Sequence, residues 1–255
     1  PECRDSDTPA VLVWGDSFAM HLVPGIAATS GARGVVQATR SICGPFLDIA
    51  PLGTRPADGV NTVWAQDCIT FNRSVLEYLS RTPSIRTVVL SSSYEQYVDP
   101  GTFVTVRRTG ERVLDSTARF AAAQDGLQQT LDAIHALGRR AVLVAPPPST
   151  GFPVGTCLER IAERKLTFGA PPACAVATER YHRARARVLH FLASARDERR
   201  APVFSFDSLL CDPTSCKTSI DGTFLYRDAG HLSEAGSRLI GRRLSLAATL
   251  EATAR

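Results

Sequence analysis

A chain of 255 residues with 44% hydrophobic and 21% charged side chains has the composition of a globular protein long enough to bury one substantial core. Its formal charge of +4, from 29 Lys and Arg against 25 Asp and Glu, is too small to point to nucleic acid. No apolar run approaches the roughly 18 to 20 residues that a membrane-spanning helix needs. One domain over residues 1–255 is expected, and a chain that starts at Pro1 rather than Met reads as processed or as a piece excised from a longer protein.

In chain order, the first element is the apolar run Val11–Trp14, which stops at Gly15-Asp16-Ser17. It is followed by Phe18-Ala19-Met20, a plausible helical turn. Further short runs rich in β-branched residues lie at Val35–Ala38, Thr87–Leu90, Ala141–Ala145 and Val203–Phe206. They are continuous rather than alternating, which suits parallel strands covered on both faces. Between them, Phe120, Leu127, Leu131, Ile134 and Leu137 recur at helical spacing in Thr117–Gly138, with Gly138 at the stop position. In Thr178–Arg200 the residues Tyr181, Ala184, Val188, Phe191 and Ala195 form an apolar stripe, with Arg180, Arg183, Arg187 and Arg199 on a solvated face. The last helix is expected to start at an N-cap, Ser233, and to turn Leu239, Ile240 and Leu244 inward. This alternation predicts an α/β fold, a three-layer αβα sandwich around a central parallel five-stranded sheet with right-handed crossovers. Three irregular segments interrupt it, Gly44–Asn61, Asp99–Arg112 and Pro146–Gly155, and Val104–Val113 reads as a hairpin with Gly110 at its turn.

The seven cysteines contain no CxxC pair and no histidine at zinc-ligand spacing, so neither a metal nor a cofactor is expected. Disulfides in an oxidising compartment fit better, with local pairing preferred: Cys43–Cys68, Cys157–Cys174 and Cys211–Cys216, leaving Cys3 free or paired elsewhere. Spacing does not fix the connectivity, and buried free thiols in a reducing compartment are the alternative.

Ligands of open α/β sheets bind beyond the carboxyl ends of the strands, which is where Ser17 falls. Ser17 reads either as a nucleophile or, with Asp16, as the cap of the turn that follows. A hydroxyl needs an imidazole to take its proton, and the imidazole needs a carboxylate to fix its tautomer. Among the five histidines, His135, His182 and His190 sit in helical patterns and His21 is close to Ser17 in sequence. His231 alone has a loop context and a carboxylate, Asp228, three residues away, with Gly230 giving the turn freedom.

Gly15-Asp16-Ser17 and Asp228-Ala229-Gly230-His231 resemble the first and last blocks of the SGNH (GDSL-like) hydrolase superfamily. More narrowly, the succession VLVWGDSFAMHLVPG, RSICGPF, TVVLSSSYEQY, AVLVAPPP and RDAGHLSEAGSRLI resembles the periplasmic SGNH domain fused to the membrane acyltransferase-three family, whose members O-acylate bacterial surface glycans. The resemblance implies a flavodoxin-like fold with Ser17, Asp228 and His231 as catalytic residues. It also implies an N-terminal membrane acyltransferase domain as the partner that delivers the acyl group, and a glycan hydroxyl as acceptor. The location would be the periplasmic or extracellular face, tethered to the cytoplasmic membrane.

The chain departs from that family at two places. Phe18 stands where a histidine commonly follows the serine, and Tyr94 replaces a tryptophan near the end of the third strand. The superfamily's oxyanion donors are the serine N–H, a glycine of the second block and an asparagine of the third. Here no glycine follows the second strand before Gly44, and Asn61 and Asn72 lie away from the third. Either a backbone N–H near Ser41, or a hydroxyl among Ser91, Ser92 and Ser93, joins the Ser17 N–H in that role, or the hole is incomplete. Asp16, Phe18, Tyr94 and Tyr97 are candidates for substrate contact, the tyrosines by stacking on a sugar or, equally, by covering the core edge. Three functions fit: a glycan O-acyltransferase domain, an esterase of the same class, and a glycan-binding module without turnover.

Overall fold

The computed structural model describes residues 3–55, 59–99, 101–166, 169, 174–198 and 201–254. Its main sheet contains β1 (Cys3–Arg4), β2 (Val11–Gly15), β3 (Val35–Thr39), β5 (Thr87–Ser91), β8 (Arg140–Val144) and β10 (Val203–Phe204) in the order β1-β3-β2-β5-β8-β10. The last five are parallel, and β1 adds an antiparallel edge next to β3 that the sequence did not advertise. Among the parallel strands the chain reverses its direction of travel between β2 and β5. That is the switch point at which doubly wound sheets open a crevice.

The central strands β2, β5 and β8 are buried on both faces. Val11 and Val13 of β2 join Val89 and Val142 in one core, while Leu12 and Trp14 join Val88, Leu90 and Leu143 in the other. On the first face lie α2 (Val23–Ser30), α10 (Glu234–Leu244) and α11 (Leu246–Thr253), and on the second α3 (Thr62–Arg81) and α5 (Ser116–Ala136). Ser233 caps α10 by accepting from the Gly236 N–H at 2.9 Å, and Ile240 is buried with Leu239 and Leu244 packed beside it. The pair α2 and α10 meets at small residues. A Cβ on Gly241 would lie 2.3 Å from the Gly25 carbonyl oxygen, and the Ser237 hydroxyl accepts from the Gly25 N–H at 3.0 Å.

Two of the three irregular segments contain strands. β4 (Ile49–Gly53), β6 (Phe103–Arg107) and β7 (Arg112–Val113) form a small antiparallel sheet, with Gly110 at φ +89° in the β6–β7 turn. The short ladders β9 (Val176–Ala177) with β11 (Ser215–Cys216), and β12 (Ser219–Ile220) with β13 (Thr223–Phe224), decorate the chain's second half. The structure holds the disulfides Cys43–Cys68, Cys157–Cys174 and Cys211–Cys216, the local pairing expected. The side chain of Cys3 lies outside what is described. Among the described residues no helix is long and apolar enough to cross a membrane, and no cluster of His, Cys, Asp and Glu could hold a metal ion.

The helix expected over Thr178–Arg200 is two helices, α7 (Thr178–Ala184) and α8 (Ala186–Asp197), broken at Arg185 with φ −103° and ψ 10°. The buried face is therefore Tyr181, Arg185, Val188, Phe191 and Ala195, and Ala184 is exposed. The expectation put Ala184 in the stripe because an alanine beside arginines reads as the apolar one. Of the four arginines assigned to solvent, Arg180, Arg183 and Arg187 are exposed, Arg187 also lying 3.7 Å from Asp99, and Arg199 lies outside the described residues.

Candidate active site

At the carboxyl end of β2 the chain turns through Gly15, whose φ of +151° disfavours any side chain and whose added Cβ would lie 1.8 Å from the Ser91 carbonyl oxygen. The short helix α1 (Ser17–Met20) follows at once, capped by Asp16, which accepts from the Phe18 N–H at 2.7 Å. Asp16 is thus the cap, and the hydroxyl of Ser17 is left for another partner. That partner is His231, with Ser17 Oγ 2.8 Å from its Nε2.

His231 reaches this point from the loop before α10. Asp228 holds the loop closed by accepting from the Gly230 N–H at 2.9 Å and the His231 N–H at 2.8 Å. The same carboxylate faces the His231 ring, with Oδ2 2.9 Å and Oδ1 3.1 Å from Nδ1. This geometry puts the ring proton on Nδ1 and leaves Nε2 to accept from Ser17. Partial burial raises the Asp228 pKa, but the backbone N–H groups of His231 and Gly230 and the imidazole outweigh it, so the carboxyl titrates below its ordinary value. Gly230 does not occupy a left-handed conformation, contrary to the expected freedom. Its lack of a side chain makes room for Phe18, whose ring edge would be 3.3 Å from a Cβ there. Phe18 packs against the His231 ring at 4.5 Å between centroids.

Behind Ser17, the Asp16 carboxylate is almost completely buried and gathers the end of β5. Its Oδ2 accepts from the Ser92 hydroxyl at 2.6 Å, the Ser93 N–H at 3.1 Å and Gln96 Nε2 at 2.9 Å. Burial raises the Asp16 pKa, and these donors together with the Phe18 N–H act against it. Asp16 therefore braces the site rather than gripping a substrate. Gln96, which sequence reasoning missed, also donates to the Ile42 carbonyl at 2.9 Å and ties the turn after β3 to this network.

Several expected contacts are corrected. The Ser91 hydroxyl donates to the Val144 carbonyl inside the sheet and the Ser92 hydroxyl to Asp16, so both point away from the cleft. Ser93 does line it, with its hydroxyl bonded to Gln96 Oε1 and its N–H to Asp16. Ser41 is exposed and its neighbour Ile42, at φ +66°, borders the cleft in its place. Tyr94 and Tyr97 are completely buried against Phe46 and Phe191, so neither can stack on a sugar. Asn72 is a core residue that accepts from Trp14 Nε1 at 2.7 Å and donates to the carbonyls of Gly44 and Phe46, and Asn61 caps α3.

Ser17 and His231 lie in a cleft of about 820 Å³ that continues past Ile42 and Ser93 to Glu95, Asp99, Phe103, Thr150 and Arg185. It is the crevice the sheet order leads one to expect. The family described as the SGNH domain fused to AT3 domains matches residues 1–245. The chain belongs to that family. Within the SGNH domain the matched residues run from β1 through the end of α10 and include both blocks of the site. Among solved structures it is similar to the lipopolysaccharide acetyltransferase periplasmic domain of Salmonella ser. Paratyphi A, with a TM-score of 0.63 at 17% identity over 96% of this chain and 85% of that one. At that identity the likeness concerns the fold. A search of the curated proteins finds no match.

Proposed function

We propose that this SGNH domain is an extracytoplasmic acyltransferase domain that passes an acyl group, acetyl in the simplest case, through Ser17 to a hydroxyl of a bacterial surface glycan. The observation that carries the reading is the unbroken relay from Ser17 Oγ to His231 Nε2 and from His231 Nδ1 to Asp228. In it Ser17 attacks the acyl carbonyl while His231 takes its proton. Asp228 holds the tautomer and stabilises the imidazolium, and His231 returns the proton to the leaving group. In the second half His231 deprotonates the acceptor hydroxyl, which attacks the acyl-serine and frees Ser17. The Ser17 N–H, with a backbone N–H of the Ser41–Ile42 turn, serves the developing oxyanion. An AT3 domain delivers the acyl group in this account, which the family's fusion and the acetyltransferase title of the Salmonella structure support.

Water could take the acceptor's place, so an esterase shares every step but the last. The test is labelling with a serine-reactive fluorophosphonate alongside hydrolysis of a chromogenic acetyl ester. Ser17 should be the labelled residue, and Ser17→Ala should lose hydrolysis by about 10³-fold or more. Equal labelling of the chain and of Ser17→Ala would rule out the triad.

A further inference from the structure

Three successive amides fix the main chain around His231. Those of Gly230 and His231 are held by the Asp228 carboxylate, inside the same loop, and that of Leu232 donates at 3.2 Å to Nδ1 of His21. Asp228 shapes the loop that carries the base, whereas His21 ties that loop to another element. His21 is the C-cap of α1, and its own N–H donates to the Ser17 carbonyl at 3.1 Å. One residue therefore holds the main chain of the nucleophile with its backbone and the main chain beside the base with its ring. Among the described residues, the other hydrogen bond between α1 with its caps and the 228–232 loop is the Ser17–His231 contact itself.

Filling space does not account for an imidazole here. The side chain is buried, its Nε2 has no hydrogen-bond partner, and burial keeps the ring neutral. An unpartnered N–H in a core is costly, and a leucine would fill a similar volume without one. A leucine offers no acceptor to the Leu232 N–H. Because Nδ1 accepts, the single ring proton sits on Nε2, and the neutral ring is the form that makes the bond. Phe18 completes the seat, 5.2 Å from the His21 ring and 4.5 Å from that of His231, while the two imidazoles stand 5.9 Å apart and nearly perpendicular.

We propose that His21 is a positioning residue which, through the Leu232 N–H, sets the separation between Ser17 and His231, while Asp228 sets the tautomer of the base. This rests on the acyl-transfer reading, in which Ser17 Oγ must stay within reach of Nε2. A misplacement of about 1 Å costs on the order of 100-fold in rate.

Three variants separate this role from packing. His21→Asn puts a carboxamide oxygen at the place of Nδ1 and keeps the acceptor, His21→Gln carries its oxygen one bond further out, and His21→Leu has none. In hydrolysis of a chromogenic acetyl ester, His21→Leu and His21→Gln should lose kcat by about 10- to 100-fold at unchanged KM, with His21→Asn within about threefold of the parent. Packing alone predicts the reverse order, with leucine the mildest change and the smaller, polar asparagine the harshest. Hydrogen exchange at the Leu232 amide reads the bond without turnover. Its protection should persist in His21→Asn and fall by about tenfold or more in the other two variants. The downfield NMR signal of the His231 Nδ1 proton, shared with Asp228, should remain in all of them.

His21→Asn no more active than His21→Leu, a Leu232 amide equally protected in all four chains, or loss of the Nδ1 proton signal in His21→Leu would each overturn the role of His21. With a parent that hydrolyses the ester and is labelled by the fluorophosphonate at Ser17, those results remove the positioning role alone. A parent that neither hydrolyses nor is labelled removes the acyl-transfer reading, and the positioning role with it, even where Leu232 protection follows the acceptor.

Discussion

His21 stands one turn along from Ser17, and its ring lies 5.9 Å from that of His231, with Phe18 against both. Its Nδ1 accepts from the Leu232 N–H at 3.2 Å and its Nε2 has no hydrogen-bond partner. Burial first, and the neighbouring His231 and Arg227 next, lower its pKa from 6.5 to about 3, so the ring is neutral and adds no charge beside His231. The unfolded chain takes up a proton on this side chain below about pH 6.5, whereas the folded chain does so only near 3. Within that window stability must fall on acidification, by up to about 1.4 kcal/mol per pH unit. Asp16, whose pKa is raised, acts in the opposite sense, gaining stability toward low pH, but it is common to the parent and any His21 variant. Urea unfolding at pH 7 and pH 5 should therefore show the parent losing about 2 kcal/mol more than His21→Gln. Parallel losses in the two chains would mean that His21 is not buried in its neutral form.

At the scale of elements, Ser17 and His231 are 214 residues apart and are brought together by helices as much as by the sheet. The close crossing of α2 and α10 fixes one side. On the other, α6 (Val154–Ala162) presses its first turn onto the Asp228 loop, where Gly155 donates to the Asp228 carbonyl at 3.1 Å. A Cβ on Gly155 would lie 2.1 Å from the Arg227 carbonyl oxygen, so backbone would have to move. Gly155→Ala should lower kcat for acetyl-ester hydrolysis by about 100-fold through displacement of Asp228, with the fold retained by circular dichroism. An unchanged kcat would show that the loop tolerates the shift. This contact was not legible in the sequence, since it joins a proline-rich stretch to a loop more than 70 residues on. Arg185 was hidden for a different reason. A helical stripe is read at constant spacing, and the break between α7 and α8 moves the buried position from Ala184 to its neighbour. Strands such as Val11–Gly15 were legible because burial on both faces leaves an unbroken apolar run that polar turns punctuate.

For the molecule as a whole, the parallel sheet and the two site blocks could be read because each is local in sequence, while the β4–β6 pairing joins segments about 55 residues apart and could not. The oxyanion side of the site was the least legible part, since backbone donors have no residue signature. It is here that the disulfides matter. Cys43–Cys68 anchors the end of the Ser41–Ile42 turn to α3, and Asn72 and Gln96 hold carbonyls on either side of that cysteine. Its 25-residue separation gives a chain-entropy stabilisation of about 3.5 kcal/mol, against about 2 kcal/mol for Cys211–Cys216 with a separation of 5. The double variant Cys43→Ser with Cys68→Ser should therefore unfold at lower guanidinium concentration than Cys211→Ser with Cys216→Ser. It should also lose ester hydrolysis at concentrations where the chain is still folded, because the turn it releases borders Ser17 in the cleft. If the two double variants hydrolyse the ester equally well while folded, the Ser41–Ile42 turn takes no part in stabilising the oxyanion, and the second donor must be sought elsewhere on the cleft wall.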